Sequence, residues 1–191
     1  VRRLREFDPE VLLLLDKDEN GLWELLTDLD PPCPEDCIPY LADIRSARRV
    51  TELFQRRRPE IVFHAAAYKH VPLLEAHPFE AATTNVLGTR RLLRLSRRFG
   101  VERLVFLSTD KAVEPVGVMG ATKRAAELLV RQAGTSGRLN ACSVRFGNIF
   151  GSRGSVVPLF RRSVAGGKPL VVTHPDMERY YISLPEAVDA V

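Results

Sequence analysis

The chain has 191 residues, 45% hydrophobic and 27% charged, with 12 Gly, 13 Pro, 3 Cys and a formal net charge of +4. That length and balance describe one ordinary globular domain and exclude a disordered chain, a collagen-like repeat and a disulfide scaffold. The longest uninterrupted aliphatic run, Val11 to Leu15, falls far short of the roughly 20 residues a membrane-spanning helix needs.

In chain order, residues 1–7 read as the end of an amphipathic helix. A strand is predicted over 11–15, then a helix over 18–29 and a proline-rich loop over 30–34. Strand 38–41 is followed by helix 47–57, and strand 61–64 by a long helix over 78–99. In that helix Ala81, Asn85, Gly88, Leu92 and Leu95 recur at spacings of three or four, and Gly100 suits its C-terminal cap. Strand 103–107, helix 118–133, strand 141–146, helix 157–165 and a weaker strand over 170–173 complete the pattern. A further helix begins near Pro185. Short apolar runs alternating with helices are the signature of βαβ units, and runs this uniformly apolar point to a parallel sheet covered on both faces. The chain opens within one helix and stops at the start of another, so it is expected to be a piece of a longer protein.

The charged residues point away from nucleic acid. Arg supplies 23 of the 28 cations, in clusters such as Arg56-Arg57-Arg58 and Arg97-Arg98 that no aromatic residues interleave, which suits solvated helix faces. An anionic small molecule remains compatible with the excess. Cys33 and Cys37 lack a second pair of ligands and Cys142 stands alone, so no metal site and reduced thiols are expected.

In an open α/β sheet the ligand lies beyond the carboxyl ends of the strands. Asp16, ending the first strand, either accepts from the hydroxyls of an adenosine ribose or caps the following helix. Asp43 has the same two readings, toward an adenine amino group or a helix end. Ala65, Ala66 and Ala67 would let a backbone approach a nucleotide closely, or simply pack helix on strand. Asn85 is a polar member of an apolar stripe, which also suits a satisfied core amide. Ser108-Thr109-Asp110-Lys111 places a hydroxyl, a carboxylate and an amine in sequence at a strand end, which is either acid–base machinery or a surface turn with a local salt bridge.

Five ordered motifs carry a resemblance that extends over nearly the whole chain: His64-Ala65-Ala66-Ala67-Tyr68-Lys69-His70-Val71-Pro72, Thr84-Asn85-Val86-Leu87-Gly88-Thr89, Ser108-Thr109-Asp110-Lys111-Ala112, Val118-Met119-Gly120-Ala121-Thr122-Lys123 and Arg145-Phe146-Gly147-Asn148. Together they resemble the CapD-like nucleotide-sugar 4,6-dehydratases of bacterial polysaccharide biosynthesis, in the extended short-chain dehydrogenase/reductase superfamily. The resemblance implies a Rossmann-like doubly wound parallel sheet with helices on both faces, here truncated at the N-terminal strand and in the C-terminal lobe. It implies bound NAD, with NADP as the alternative, and a UDP-linked N-acetylhexosamine as substrate. It places Asp16 at the ribose, Asp43 and Ile44 at the adenine, Ala65, Ala66, Ala67 and Asn85 along the cofactor, and Lys123 at the nicotinamide ribose.

Thr109, Asp110, Lys111, Met119 and Lys123 are implied as the catalytic set. Oxidation at sugar C4 acidifies the C5 hydrogen, an uncharged Lys111 removes it, a protonated Asp110 helps the C6 hydroxyl leave as water, and Thr109 bonds the C4 oxygen. Lys69, His70, Asn148 and Arg153 are implied near the substrate. Met119 stands where the superfamily has Tyr, as in its longer membrane-anchored members. The Gly-rich turn that cradles the pyrophosphate is expected before residue 1, and Gly147, Gly151 and Gly154 do not replace it. The parent is expected in the cytoplasm or on the cytoplasmic face of the inner membrane, as a homo-oligomer, with no membrane contact from this segment. An epimerase of the same superfamily and a non-catalytic nucleotide-binding domain are the alternatives.

Overall fold

The computed structural model describes residues 1–137, 139–152, 155–172 and 174–191. Five strands carry the fold: β1 (Leu12–Asp16), β2 (Cys37–Leu41), β3 (Ile61–His64), β4 (Arg103–Thr109) and β5 (Asn140–Phe146). Between and around them lie α1 (Arg2–Arg5), α2 (Glu19–Thr27), α3 (Ala47–Arg57), α4 (Val71–Ala76), α5 (Pro78–Ala81), α6 (Thr89–Phe99), α7 (Val118–Thr135), α8 (Val156–Ala165) and α9 (Leu184–Asp189). Two short strands, β6 (Asn148–Ile149) and β7 (Tyr181–Ile182), form a separate pair.

All strand pairs are parallel, as the alternation of elements requires. In place of one continuous sheet, the described residues form a β1–β2 ladder and a β3–β4–β5 ladder with no strand pairing between them. Apolar packing joins the two instead: Val50 and Phe54 of α3 share one buried cluster with Leu92 and Leu95 of α6, Leu104 and Phe106 of β4, and Val130 of α7, with Leu15 of β1 against it. On the opposite face of β1, Leu12 and Leu14 pack with Leu26, Leu29 and Cys37 beside α2. The β1–β2 pair is therefore covered on both sides. On the central ladder, Val62 and His64 align with Leu104 and Phe106 on the covered face, while Ile61 and Phe63 stay 49% and 40% exposed on the other.

The local chemistry of the helices follows their sequence. In α3, Val50, Leu53 and Phe54 are buried, whereas Arg56, Arg57 and Arg58 are exposed, so this arginine cluster is a solvated end. Gly100 ends α6 at φ +77°, a left-handed position that favours glycine. The predicted 78–99 helix is continuous but changes pitch, with a π-helical stretch over Ala82–Gly88 between α5 and α6. Its predicted stripe is buried throughout, from Ala81 and Asn85 to Leu95.

The strand predicted over 170–173 is not there. Leu170, Val171 and Val172 form no ladder and remain exposed, and Thr173 lies outside the described residues. Apolar composition favours an extended chain, but a strand exists only where a partner edge is in reach. In this region that partner is β6, and it pairs with Tyr181–Ile182. Helix α4, with proline in its first turn, was not predicted. No helix among the described residues is long and apolar enough to cross a membrane.

Candidate functional site

Strand β4 ends at Thr109, and the chain turns at once into a 3-10 turn over Asp110–Ala112. The Thr109 hydroxyl donates to Asp110 Oδ1 at 2.8 Å and accepts from the Lys111 N–H at 3.4 Å, which fixes the turn. Lys111 Nζ donates to Asp110 Oδ1 at 2.9 Å and to Asn148 Oδ1 at 3.0 Å. A hydroxyl, a carboxylate, an amine and a carboxamide thus converge on one half-buried spot. Partial burial favours the neutral form of Asp110, but the bonds from Lys111 and Thr109 outweigh it and hold its carboxyl below the usual range. In this arrangement the carboxyl is ionised and paired with Lys111, so a protonated Asp110 requires a proton passed to it.

Helix α7 supports that turn from below. At Gly120 a Cβ would lie 2.2 Å from the Lys111 carbonyl oxygen, so only a bare glycine lets the helix come this close. The start of α7 is held by a group remote in sequence, Glu75 Oε1, which accepts from the Val118 N–H at 2.7 Å. One turn on, Lys123 is buried, donates to the Leu107 carbonyl and lies 4.0 Å from the centre of the Phe106 ring. Burial drives its pKa down to about 8, with Glu127 opposing the shift. Met119, four residues earlier, is buried with Leu74 and Ala81. A thioether carries no exchangeable proton, so its observed part is packing.

Asn85 proves to be a structural junction. Its Oδ1 accepts from the Tyr68 N–H at 2.9 Å, and its Nδ2 donates to the Tyr68 carbonyl and to Thr122 Oγ1, both at 3.1 Å. Both amide hydrogens are committed, so Asn85 braces the loop after β3 against α7 and presents no donor to a groove. That brace leaves Ala65 and Ala66 exposed and Ala67 half-buried at the carboxyl end of β3. Lys69 and His70 follow at a cavity of about 210 Å³ whose apolar wall is Leu73 and Leu74.

At the other ladder, Asp16 is exposed and its Oδ1 accepts from the Asp18 N–H at 3.0 Å. Lys17 donates to the Tyr68 hydroxyl and sits 4.2 Å from that ring, bridging the ends of β1 and β3. Asp43 accepts from the Arg45 N–H and Nε, each at 2.8 Å; against a burial effect in the opposite sense, these bonds keep its carboxyl below the usual range. Ile44 is buried against Gly88, so its side chain is core wall. Arg153 lies outside the described residues.

The structure thus brings Thr109, Asp110, Lys111 and Asn148 into one cluster, and Ala65 to Ala67, Asn85, Met119 and Lys123 into the framework beside it. Sequence reasoning missed Tyr68, Glu75 and Thr122, which act through backbone groups or across long separations. It also gave no part to His64, which is 2% exposed with Nε2 2.8 Å from Thr89 Oγ1.

Known proteins are similar to this chain in sequence and fold. The capsular polysaccharide biosynthesis protein CapD of Staphylococcus aureus is 41% identical over 189 residues, covering 97% of this chain and 32% of its own length. A UDP-glucose 4-epimerase of Rickettsia rickettsii is 41% identical over 155 residues, 80% of this chain and 45% of its own. Among solved structures, Pen from Bacillus thuringiensis superposes with a TM-score of 0.90 at 33% identity, covering 98% of this chain and 60% of that one. The Thermus thermophilus UDP-glucose 4-epimerase in complex with NAD gives 0.75 at 27% identity, covering 93% and 64%. The chain spans about a third of the length of CapD and under half that of the epimerase. The family model described as polysaccharide biosynthesis protein matches residues 1–191, and the chain belongs to that family.

Proposed function

We propose that the protein containing this chain is a nucleotide-sugar 4,6-dehydratase that converts a UDP-linked N-acetylhexosamine to its 4-keto-6-deoxy product. The observation that carries the reading is the Thr109–Asp110–Lys111 cluster, where a hydroxyl, an acid and a base share one strand end within hydrogen-bond distance. NAD, when bound, would supply a hydride acceptor for oxidation at sugar C4 and a hydride donor for reduction at C6. The residues present suit it: the open alanine backbone after β3, the exposed carboxylate of Asp16 for a ribose, and a desolvated Lys123 near the strand ends.

Asp110 and Lys111 together hold one proton for the elimination. Passing it from Lys111 Nζ to Asp110 along their 2.9 Å bond turns an ion pair into an acid and a base without changing the net charge. Lys111 then takes the proton from C5, which the C4 ketone has acidified, while Asp110 gives its proton to the departing C6 oxygen. The C5–H and C6–O bonds break, a C5–C6 double bond forms, and water leaves. After reduction at C6, the Lys111 ammonium returns a proton to C5, and the proton that the C4 hydroxyl gave up to solvent on oxidation is replaced from solvent, which restores the Asp110–Lys111 ion pair. Thr109 is placed to bond the C4 oxygen.

The epimerase reading rests on the 41% identity to the Rickettsia enzyme. A 4-epimerisation uses no base at C5, and the Lys111 arrangement favours elimination. Incubating the full-length protein with UDP-N-acetylglucosamine should give a product lighter by one water, with deuterium at C5 in heavy water. Lys111→Ala should abolish that deuterium incorporation. Nucleotide binding without product would leave only the non-catalytic alternative.

A further inference from the structure

Asn148 is held by a part of the chain far from the cluster it joins. Its N–H donates to the Tyr180 carbonyl at 2.8 Å, and the Phe150 N–H donates to the Ile182 carbonyl at 2.9 Å, so β6 is locked to β7. The preceding Gly147 permits this approach, because a Cβ there would stand 2.7 Å from the Tyr180 oxygen. Immediately after β7, Ser183 and Glu186 close a reciprocal cap on α9. The backbone of Asn148 is therefore set by residues 180–182, while its side chain reaches Lys111.

The direction of that side chain is dictated by chemistry. An ammonium only donates, so the carboxamide must turn its oxygen to Lys111 Nζ. Asp110 also holds Nζ, but as an ion pair that is lost once the proton moves between them. An amide oxygen accepts from an ammonium and from a neutral amine alike. We propose that Asn148 is a positioning residue for Lys111, keeping Nζ in place in both its charged and its neutral form, and that strand β7 aims it. This inference rests on the dehydratase reading and gives Asn148 a part beyond contact with the substrate.

The test uses the full-length protein with UDP-N-acetylglucosamine and NAD, reading nicotinamide reduction and C5 deuterium exchange separately. In Asn148→Leu, exchange at saturating substrate should fall by about 100-fold, the scale of a misplaced reacting group, while nicotinamide reduction at saturating substrate falls far less. Asn148→Gln, which keeps an amide oxygen able to reach Lys111, should recover part of the exchange, whereas Asn148→Asp, whose charge favours the ammonium, should not. Thermal unfolding checks that each variant folds, and Asn148→Ser serves in place of a leucine variant that does not. A parallel loss of reduction and exchange, or a raised KM with exchange intact at saturation, would overturn the proposal in favour of substrate contact alone. Wild-type protein that neither loses water from the sugar nor exchanges C5 hydrogen overturns the dehydratase reading itself, and this role with it.

Discussion

The Lys123 ammonium lies 4.0 Å from the centre of the Phe106 ring, so helix α7 is pinned to strand β4 by a cation nearly stripped of water. Its folded pKa is about 8, against 10.5 for an ordinary lysine, and burial is the main cause. Between those values the unfolded chain binds a proton that the folded chain has lost, so stability rises with pH across this window. The lysine contribution amounts to about 3 kcal/mol at its upper limit. Denaturant unfolding of wild type and Lys123→Met should therefore diverge as pH is raised from 8 to 10, with wild type gaining. A constant difference would mean that Lys123 titrates normally.

His64 titrates in the opposite part of the scale. Burial, helped by the charge of Lys123, lowers its pKa from 6.5 to about 3. Below pH 6.5 the unfolded chain takes up a proton that the folded chain refuses, so stability present above 6.5 is lost as the pH falls toward 3. His64→Gln can keep a bond to Thr89 and cannot titrate, so it should unfold less readily than wild type at pH 4 relative to pH 7, by roughly 2–4 kcal/mol. Identical acid profiles would remove His64 from the account.

Gly120→Ala tests the contact beneath the Asp110–Ala112 turn. The added Cβ meets a backbone oxygen 2.2 Å away, which no rotamer change can relieve. A loss of about 1–3 kcal/mol is expected, as for overpacked cores, with a larger loss of C5 exchange than of nicotinamide reduction because Lys111 moves first. Unchanged stability would show that α7 and the turn separate freely.

Glu75→Ala removes the group that accepts from the first helical N–H of α7. The expected cost is about 1 kcal/mol, the usual effect of a lost cap, and Glu75→Gln should recover part of it because its amide oxygen still accepts. Thermal unfolding of the two variants checks the order.

The central strands and helices were legible because their apolar runs have one reading at each period. Helix 47–57 and strand 61–64 coincide with their predicted bounds, and the buried stripe from Ala81 to Leu95 appears as spaced. Pairing was not legible in the same way. Leu170, Val171 and Val172 have strand composition and no partner, while Tyr181 and Ile182 gain one from a two-residue segment that no pattern marks. At the site, the Thr109–Asp110–Lys111 string could be read as acid–base chemistry because its members are adjacent. The ionised Asp110 could not, since it depends on which way Lys111 points, and the Asn148 that shares that ammonium lies 37 residues away. Asn85 was identified as a polar residue in an apolar stripe, but its partners are the backbone of Tyr68 and the hydroxyl of Thr122, which only the folded chain assembles.

The π-helical stretch over Ala82–Gly88 acts as a phase joint in the long helix. Upstream of it the helix is indexed through Ala81 to Leu74 and the start of α7, and within it Asn85 grips Tyr68; downstream, Leu92 and Leu95 are indexed to the sheet. The carbonyl of Asn85, released from the α register, is taken by the Thr89 hydroxyl at 2.6 Å, which His64 contacts from the strand side. Removing one residue from this stretch would turn its two ends about 100° relative to each other, one residue's rotation in an α-helix. A length change here would therefore unhook the brace while sparing the core, or the reverse, and the fold tolerates both requirements at once because the helix is wound unevenly.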